Sequence, residues 1–362
     1  NLVQSIVGSE HGHDLFHLRI CEHGHGQWHL ARRGRALAFH QLWRHGHGDI
    51  GSGFGDFDVD CKIQTTGANM TKLMQVAVVG AGNMGGGMLT RLCGLGWSVA
   101  VHDVDPQVQS HAAALGAIAC GSAKEAAQLL SPDGVLMVVV VDAAQTEVVL
   151  WGEGGAGPVM QPGQSVMLCP TLGPVTVQGQ AERLSQRGID FIDAPMSGGP
   201  LRAKEGTMSL MVSCSDAVWQ RSQTLLNALS QQVFRVGTRP GDGARTKLVN
   251  NLLAAVNLAG AAEAMALAER LGLDPAATLS VIEASSGQSW IGSDRMRRAL
   301  AGDFEPRAHV TLLAKDTGLA LQAAEEVAFD PPLGRIARGL FAQALAQGWA
   351  DLDDAALLQL MR

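Results

Sequence analysis

The sequence predicts a doubly wound parallel α/β sheet followed by an all-helical C-terminal domain. Three observations predict it. Short apolar runs alternate with helix-compatible stretches from Met74 onward. The first run closes in a glycine-rich turn. Beyond about residue 238 the strand signals stop and only helical periods remain.

The glycine-rich turn comes first. An apolar strand over 75–79 runs into Gly80-Ala81-Gly82-Asn83-Met84-Gly85, a G-x-G-x-x-G turn with helix-compatible sequence after Gly85. Gly80 permits the tight turn, Gly82 lets the backbone approach a pyrophosphate, and Gly85 lets the helix pack closely on the strand. The helix N-terminus then faces the negative charge. The second strand, 98–102, ends at Asp103, where a carboxylate for ribose hydroxyls is expected about twenty residues on. A merely structural glycine turn would need neither the flanking strands nor the acid, so the segment reads as a Rossmann-type dinucleotide site.

Further strands are expected over 135–141, 165–169, 189–193, 207–213 and 232–236, with helices over 88–95, 123–130 and 175–187 between them. The all-apolar run 135–141 is too short to span a membrane and suits a parallel strand covered on both faces. Helices follow over 244–271, 275–285, 308–327 and 332–347. The first of these is apolar nearly all round (Leu248, Val249, Leu252, Leu253, Val256, Leu258), which places it between domains or subunits. Gly272 and Asp274-Pro275 end it and start the next helix. The expected division is 1–69, a His/Gly-rich extension; 70–237, the dinucleotide-binding domain; and 238–362, the helical domain for substrate binding and dimerisation.

Nine of the 12 histidines lie within residues 1–69, in repeats such as His23-Gly-His25 and His45-Gly-His47. A metal-binding tract is one reading; a disordered extension, upstream of a start at Met70 or Met74, is the reading preferred on composition. The net charge of −7 argues against nucleic acid or an anionic membrane as partner. Six scattered cysteines without a CxxC pair read as reduced thiols of a cytoplasmic protein, with no metal site among them. No secretory signal peptide and no apolar run of membrane-spanning length is recognised.

Three segments turn cofactor binding into chemistry. At the end of the 189–193 strand, Ser197-Gly198-Gly199 offers a hydroxyl and backbone N–H groups that suit a carboxylate, or it is simply a tight turn. Lys247 and Asn251, four residues apart, share one face of an apolar helix, where burying them without purpose is costly. The alternative is a lysine that snorkels to solvent. Lys315-Asp316 lies in a helical stretch and by itself reads as a solvated face.

In combination these segments resemble the β-hydroxyacid dehydrogenase family, the group of 3-hydroxyisobutyrate dehydrogenase. The resemblance covers residues 74 to about 360 and rests on GAGNMGGGM, DAPMSGG, GxxxKLVNN and KDTGLA. It implies an NAD-linked hydroxyacid oxidoreductase. Gly80, Ala81, Gly82, Asn83, Met84 and Gly85 would hold the pyrophosphate, and Asp103 the adenosine ribose. Because Asp103 would repel a 2′-phosphate and no arginine follows it directly, NAD is expected over NADP. Val140, Val141 and Gln145 would border the cofactor, with Thr171 beside the nicotinamide and Lys315 on the cofactor side. Ser197, Gly198 and Gly199 would bind the substrate carboxylate. Lys247 would be the general acid/base, and Asn251 would orient the substrate. The family's Asp-x-Ser-Thr is replaced here by Met167-Leu-Cys169-Pro170-Thr171, which keeps only the threonine.

The segment 286–306 runs to Lys315 without a long insertion and resembles the branch acting on L-threonate, a four-carbon sugar acid. Asn250-Asn251 is closer to the hydroxyisobutyrate form. Trp290 and Arg295 are pocket candidates, against core packing for the first and a solvated helix for the second. Alternatives are a 3-hydroxyisobutyrate dehydrogenase, a 2-hydroxy-3-oxopropionate reductase or, in a different class, a non-catalytic dinucleotide-binding protein. An imine reductase is disfavoured because Lys247 and Ser197 are both kept. The apolar helix and Gly260-Ala-Ala predict a homodimer or homotetramer.

Overall fold

The computed structural model describes strands β1 (Val3–Glu10), β2 (Asp14–His23) and β3 (Gln27–Ala31), and residues 76–362. The first three strands form a small antiparallel sheet in the order β1-β2-β3. They differ from the expected extension without regular structure. Phe16, Leu18 and Ile20 alternate with His17 and Arg19, a strand period hidden by the glycine and histidine count. The metal-binding reading of the histidines falls on side chains outside the described residues.

Residues 69–362 form a separate compact unit. It contains a nine-stranded sheet. Its strands are β4 (Val76–Val79), β5 (Val99–His102), β6 (Ile118–Ala119), β7 (Val135–Val138), β8 (Ser165–Leu168) and β9 (Asp190–Asp193), then β10 (Met196–Ser197), β11 (Ser209–Ser213) and β12 (Gln232–Gly237). The order β6-β5-β4-β7-β8-β9 is parallel throughout. β11 joins β9 antiparallel, with β10 antiparallel and β12 parallel to it. Helices α1 (Asn83–Gly94), α2 (Pro106–Ala114), α3 (Ala123–Gln128), α4 (Ala143–Trp151), α5 (Pro174–Ser185), α6 (Gly199–Glu205) and α7 (Asp216–Leu229) connect the strands. Then come α8 (Asp242–Arg270), α9 (Pro275–Glu283), α10 (Trp290–Leu300), α11 (Val310–Glu326), α12 (Pro332–Ala346) and the short α13 (Leu357–Met361).

The strand sequences account for a sheet covered on both faces. Successive residues point to opposite sides, so Val76, Val78, Val99, Val101, Val135 and Met137 enter one core. Ala77, Val79, Ala100, Leu136 and Val138 enter the other. The predicted strand 135–141 ends at Val138, so the three following valines pass the carboxyl edge of the sheet. Because β5 lies on one side of β4 and β7 on the other, the turn at Gly80 and the turn at Val139 flank the switch-point crevice where such sheets bind ligands.

Helix α8 is the spine of the helical part. Ala255, Leu258, Ala262 and Met265 on it pack with Leu313 of α11 and Phe341 of α12 in a third core. It is not buried all round: Leu248 and Leu258 are covered, whereas Val249 and Leu253 are 71% and 61% exposed in the single chain. Contrary to the expectation from apolar runs, this helix is long and apolar enough to cross a membrane. Here it is the core helix of the bundle, and it buries Lys247 and Asn251.

A buried ionic knot closes the bundle. Asp353, fully covered, accepts from the backbone N–H groups of Arg307, Ala308 and Ala355 at 2.8, 3.2 and 3.0 Å. Arg298 Nη2 of α10 pairs with it at 2.9 Å. These donors hold the Asp353 carboxyl below the usual carboxylate range despite burial. Removing one partner of such a pair strands the other charge, at a cost of about 3–5 kcal/mol. Asp353→Ala is therefore expected to lower the unfolding free energy by about that amount, and an unchanged urea midpoint would refute the role given to the knot.

Candidate active site

The glycine turn has the features a pyrophosphate cradle needs. Gly80 sits at φ +88°, and a Cβ there would lie 2.4 Å from the Val139 carbonyl oxygen, so only glycine fits. A Cβ on Gly85 would lie 1.9 Å from the Gly80 carbonyl oxygen, which is the close helix–strand packing expected of the third glycine. A Cβ on Gly82 would meet nothing within 4 Å, so the space before it is open. Helix α1 begins there with no side-chain cap and no acidic residue in its first turn. An uncapped N-terminus facing open space suits an anion. The turn fits the pyrophosphate of a dinucleotide on this geometry.

Asp103 follows β5 and reaches back into this turn. Its Oδ2 accepts from the Ala81 N–H at 2.6 Å and its Oδ1 from the Asp105 N–H at 2.9 Å. On the other side of the crevice Asp142 caps α4 by accepting from the Gln145 N–H at 2.8 Å. The Gln145 side-chain carbonyl in turn accepts from the Val141 N–H at 2.9 Å. Gln145 thus closes the loop that carries Val140 and Val141.

The second half of the site is assembled around a buried aspartate that sequence reasoning did not single out. Asp193, at the end of β9, is 1% exposed. Its Oδ2 accepts from the N–H groups of Gly241 and Ala244 at 2.9 and 3.1 Å and from the Ser213 hydroxyl at 3.1 Å. Ser213 Oγ accepts from the Gly243 N–H at 3.1 Å. The first N–H groups of α8 are thereby fastened to the ends of β9 and β11. Burial pushes the Asp193 carboxyl up to about 6 against these donors.

One turn along α8 stands Lys247, and one further turn along stands Asn251; both are buried. Lys247 makes no hydrogen bond or ion pair among the described residues. Desolvation lowers its ammonium to about 8, opposed by the nearby Asp316 charge and aided by Lys315. Asn251 Nδ2 donates to Asp316 Oδ2 at 2.5 Å, and its Oδ1 accepts from Asn250 Nδ2 at 2.9 Å. Lys315 Nζ donates to the Thr171 carbonyl oxygen at 2.7 Å and lies 2.8 Å from Asp316 Oδ1. Thr171, Lys247, Asn251, Lys315 and Asp316 therefore meet where α8 and α11 face the loop after β8. The Lys315-Asp316 pair is no solvated face, since Asp316 is 5% exposed.

Ser197 ends β10, paired with Ser209, and Gly198 and Gly199 take φ of +132° and +77°. A Cβ on Gly87 of α1 would lie 2.8 Å from the Pro200 carbonyl oxygen, so α1 and the Ser-Gly-Gly turn are in contact. The substituted segment before Thr171 is core: Met167, Leu168 and Cys169 are buried, and burial drives the Cys169 thiol far above its ordinary value. Of the pocket candidates, Trp290 is half exposed and is not core. Arg295 is not solvated: it is buried and paired with Asp294 and Asp354. The signal for Asp316 was the Lys-Asp pair itself, whose second residue falls on the α8 side of its helix. The signal for Asp193 was its place at a strand end four residues before Ser197.

Two family models match the chain. Residues 75–237 match the NAD binding domain of 6-phosphogluconate dehydrogenase, and residues 241–361 match the "NAD-binding of NADP-dependent 3-hydroxyisobutyrate dehydrogenase" model. An L-threonate dehydrogenase of Cupriavidus necator is 37% identical over 79% of this chain and 95% of its own length. A 2-hydroxy-3-oxopropionate reductase of Escherichia coli is 31% identical over 79% of this chain and 96% of its own. Among solved structures, a 3-hydroxyisobutyrate dehydrogenase of Salmonella typhimurium superposes with a TM-score of 0.74 at 35% identity, covering 79% of this chain and 99% of that one.

Gly82→Ala separates binding from folding. Its φ of −63° is ordinary and its Cβ would be unobstructed, so stability should change by no more than about 1 kcal/mol. NADH affinity, read by quenching of tryptophan fluorescence, should fall at least about tenfold because the methyl occupies the space before α1. Unchanged affinity would place the pyrophosphate elsewhere.

Proposed function

The chain belongs to the 3-hydroxyisobutyrate dehydrogenase family of β-hydroxyacid dehydrogenases, NAD(P)-dependent enzymes, and within it we propose an NAD-linked oxidation of a polyhydroxy acid of the L-threonate class in the cytoplasm. The observation that carries the reading is the buried Lys247, without a hydrogen bond or ion pair among the described residues, beside Asn251 and on the helix that meets Lys315 and Thr171. A non-catalytic dinucleotide binder has no use for that arrangement. The substrate class is supported by the short 286–306 segment and by the name of the 37% identical Cupriavidus necator relative. A 3-hydroxyisobutyrate substrate is the second reading, favoured by Asn250-Asn251 and by the name of the Salmonella typhimurium structure.

In this mechanism the Ser197 hydroxyl and the N–H groups of Gly198 and Gly199 bind the substrate carboxylate. Asn251 holds the hydroxyl beside Lys247. A bound nicotinamide dinucleotide would supply hydride transfer at the substrate carbon in either direction. Lys247 as neutral amine accepts the hydroxyl proton during oxidation, and as ammonium returns it during reduction. Thr171 and Lys315 would border the nicotinamide side, and Gly80 to Gly85 would hold the pyrophosphate. Asp103 takes the ribose, and the preference for NAD follows from its charge, with Asp105 two residues on and no arginine between. The exposed Val249 and Leu253 on α8 support a homo-oligomer, a dimer or tetramer, that covers them.

The test is initial rates of residues 70–362 with NAD⁺ and NADP⁺ against L-threonate, D-glycerate and 3-hydroxyisobutyrate. Fastest turnover of L-threonate with NAD⁺ is expected; preference for 3-hydroxyisobutyrate would establish the second reading. Because Lys247 must be neutral to accept a proton, oxidation should rise with pH and level off above about 8. Reduction should fall above the same pH. Lys247→Ala is expected to lower kcat by at least about 10²-fold with NADH still bound. Loss of NADH binding together with turnover would make the lysine structural.

A further inference from the structure

The Asp316 carboxylate is buried between two lysines and an asparagine, and nothing assigned to the site so far explains it. It projects from α11 with 5% exposure. One oxygen accepts the Asn251 amide at 2.5 Å. The other accepts no hydrogen bond, although Lys315 Nζ stands 2.8 Å away, an ion pair without hydrogen-bond alignment. A buried carboxylate oxygen left without a donor is costly unless a charge compensates it. Here the compensating charges are Lys315, which is anchored on the Thr171 carbonyl, and Lys247 across on α8.

We propose that Asp316 is a positioning residue of the reaction, one that fixes the orientation of the Asn251 amide between α8 and α11. The amide has two possible orientations, and only one places Nδ2 on a carboxylate. With Nδ2 on Asp316 and Oδ1 on Asn250, Asn251 is locked at both ends. Its second N–H is then the one free to meet the substrate. This also gives a use to the Asn250-Asn251 pair, whose first member completes the lock. Asn250 itself is otherwise exposed.

The electrostatic half of the role follows from which charges face Lys247. From α11 these are Asp316, which favours its ammonium, and Lys315, which opposes it. The Asp193 carboxyl, at the start of α8, is spent on the helix N–H groups and the Ser213 hydroxyl. Without the Asp316 charge, burial and Lys315 would both push Lys247 toward the neutral amine. Oxidation would keep its base, but reduction would lose its acid. The Asp316 charge thus favours the ammonium form that reduction needs.

The inference rests on Lys247 being the acid/base, so its test reads Lys247 itself as well as activity. Acylation of Lys247 by an amine-selective reagent, followed by peptide mass spectrometry across pH in the cofactor-free protein, gives the apparent pKa of that lysine. In Asp316→Asn it should fall by about one unit. The pH profile of reduction should move to lower pH by the same amount. Asp316→Ala, which also frees the Asn251 amide, should lower kcat by about 10²-fold with KM for NADH within about twofold. Asp316→Glu keeps the charge and should keep the wild-type pH midpoint. NADH binding and thermal midpoint identify variants that fail to fold; if Asp316→Asn fails, Asp316→Ala compared with Asp316→Glu still reads the charge. A wild-type kcat in Asp316→Ala overturns the proposal, and a Lys247 midpoint in Asp316→Asn equal to wild type overturns its electrostatic part. A wild-type midpoint near the ordinary lysine value overturns the general-base reading of Lys247 instead.

Discussion

The site depends on the fastening of α8 to the sheet through the Asp193 carboxylate. A helix of this length could slide or rotate over the sheet edge if apolar packing alone held it, since Val249 and Leu253 give its outer face nothing to rest on in the single chain. Asp193 removes that freedom. It takes two of the four N–H groups that every helix start leaves without partners, and through Ser213 it takes a third. A Cβ on Gly243 would lie 2.7 Å from the Met211 carbonyl oxygen, so the first turn of α8 rests directly on β11. Once those residues are fixed, Lys247 and Asn251 have no choice of direction. Their places follow from the helical rise of about 1.5 Å per residue.

Lys247 has no hydrogen-bond or ion-pair partner among the described residues, and its proton decides what that costs. Burying an ammonium without a partner is unfavourable, and the cost falls when the group loses its proton. A lysine at about 8 is charged in part and neutral in part near neutral pH, which is what proton transfer requires. The two opposing neighbours on α11 are adjacent in sequence, so Lys315 and Asp316 deliver both signs of charge from a single turn of helix. Both face α8 because α11 is held against it by the core around Leu313 and Phe341.

Much of this was legible before the fold was known, and the limits have physical causes. The strands of the parallel sheet were visible because burial on both faces leaves near-continuous apolar runs such as Val135–Val138. Short surface helices such as α2 and α6 were not, because they bury few side chains and carry little periodicity. The glycine turn was legible because each glycine answers a steric demand that can be named in advance. Lys247 and Asn251 were legible because polar residues on an apolar helix stand out. Asp193 and Asp316 were not, since an aspartate after a strand or beside a lysine is common and only three-dimensional proximity gives it meaning. Arg295 was misread for the same reason: its partners Asp353 and Asp354 lie almost sixty residues away.

The cofactor end of the crevice obeys a coupling of its own. Asp103 is proposed to take the adenosine ribose, and its Oδ2 is also the acceptor for the Ala81 N–H at 2.6 Å. The carboxylate therefore shapes the glycine turn while it confers the charge on which the proposed NAD preference rests. A basic residue at this position would remove the repulsion toward a 2′-phosphate but would also release the Ala81 N–H and loosen the turn proposed for the pyrophosphate. The two effects have opposite signs for NADP binding. Changing cofactor preference in this scaffold thus requires keeping an acceptor for Ala81 while moving the positive charge onto Val104 or Asp105. Val104 is 92% exposed and Asp105 caps α2, so the first of these is the position that costs the fold least.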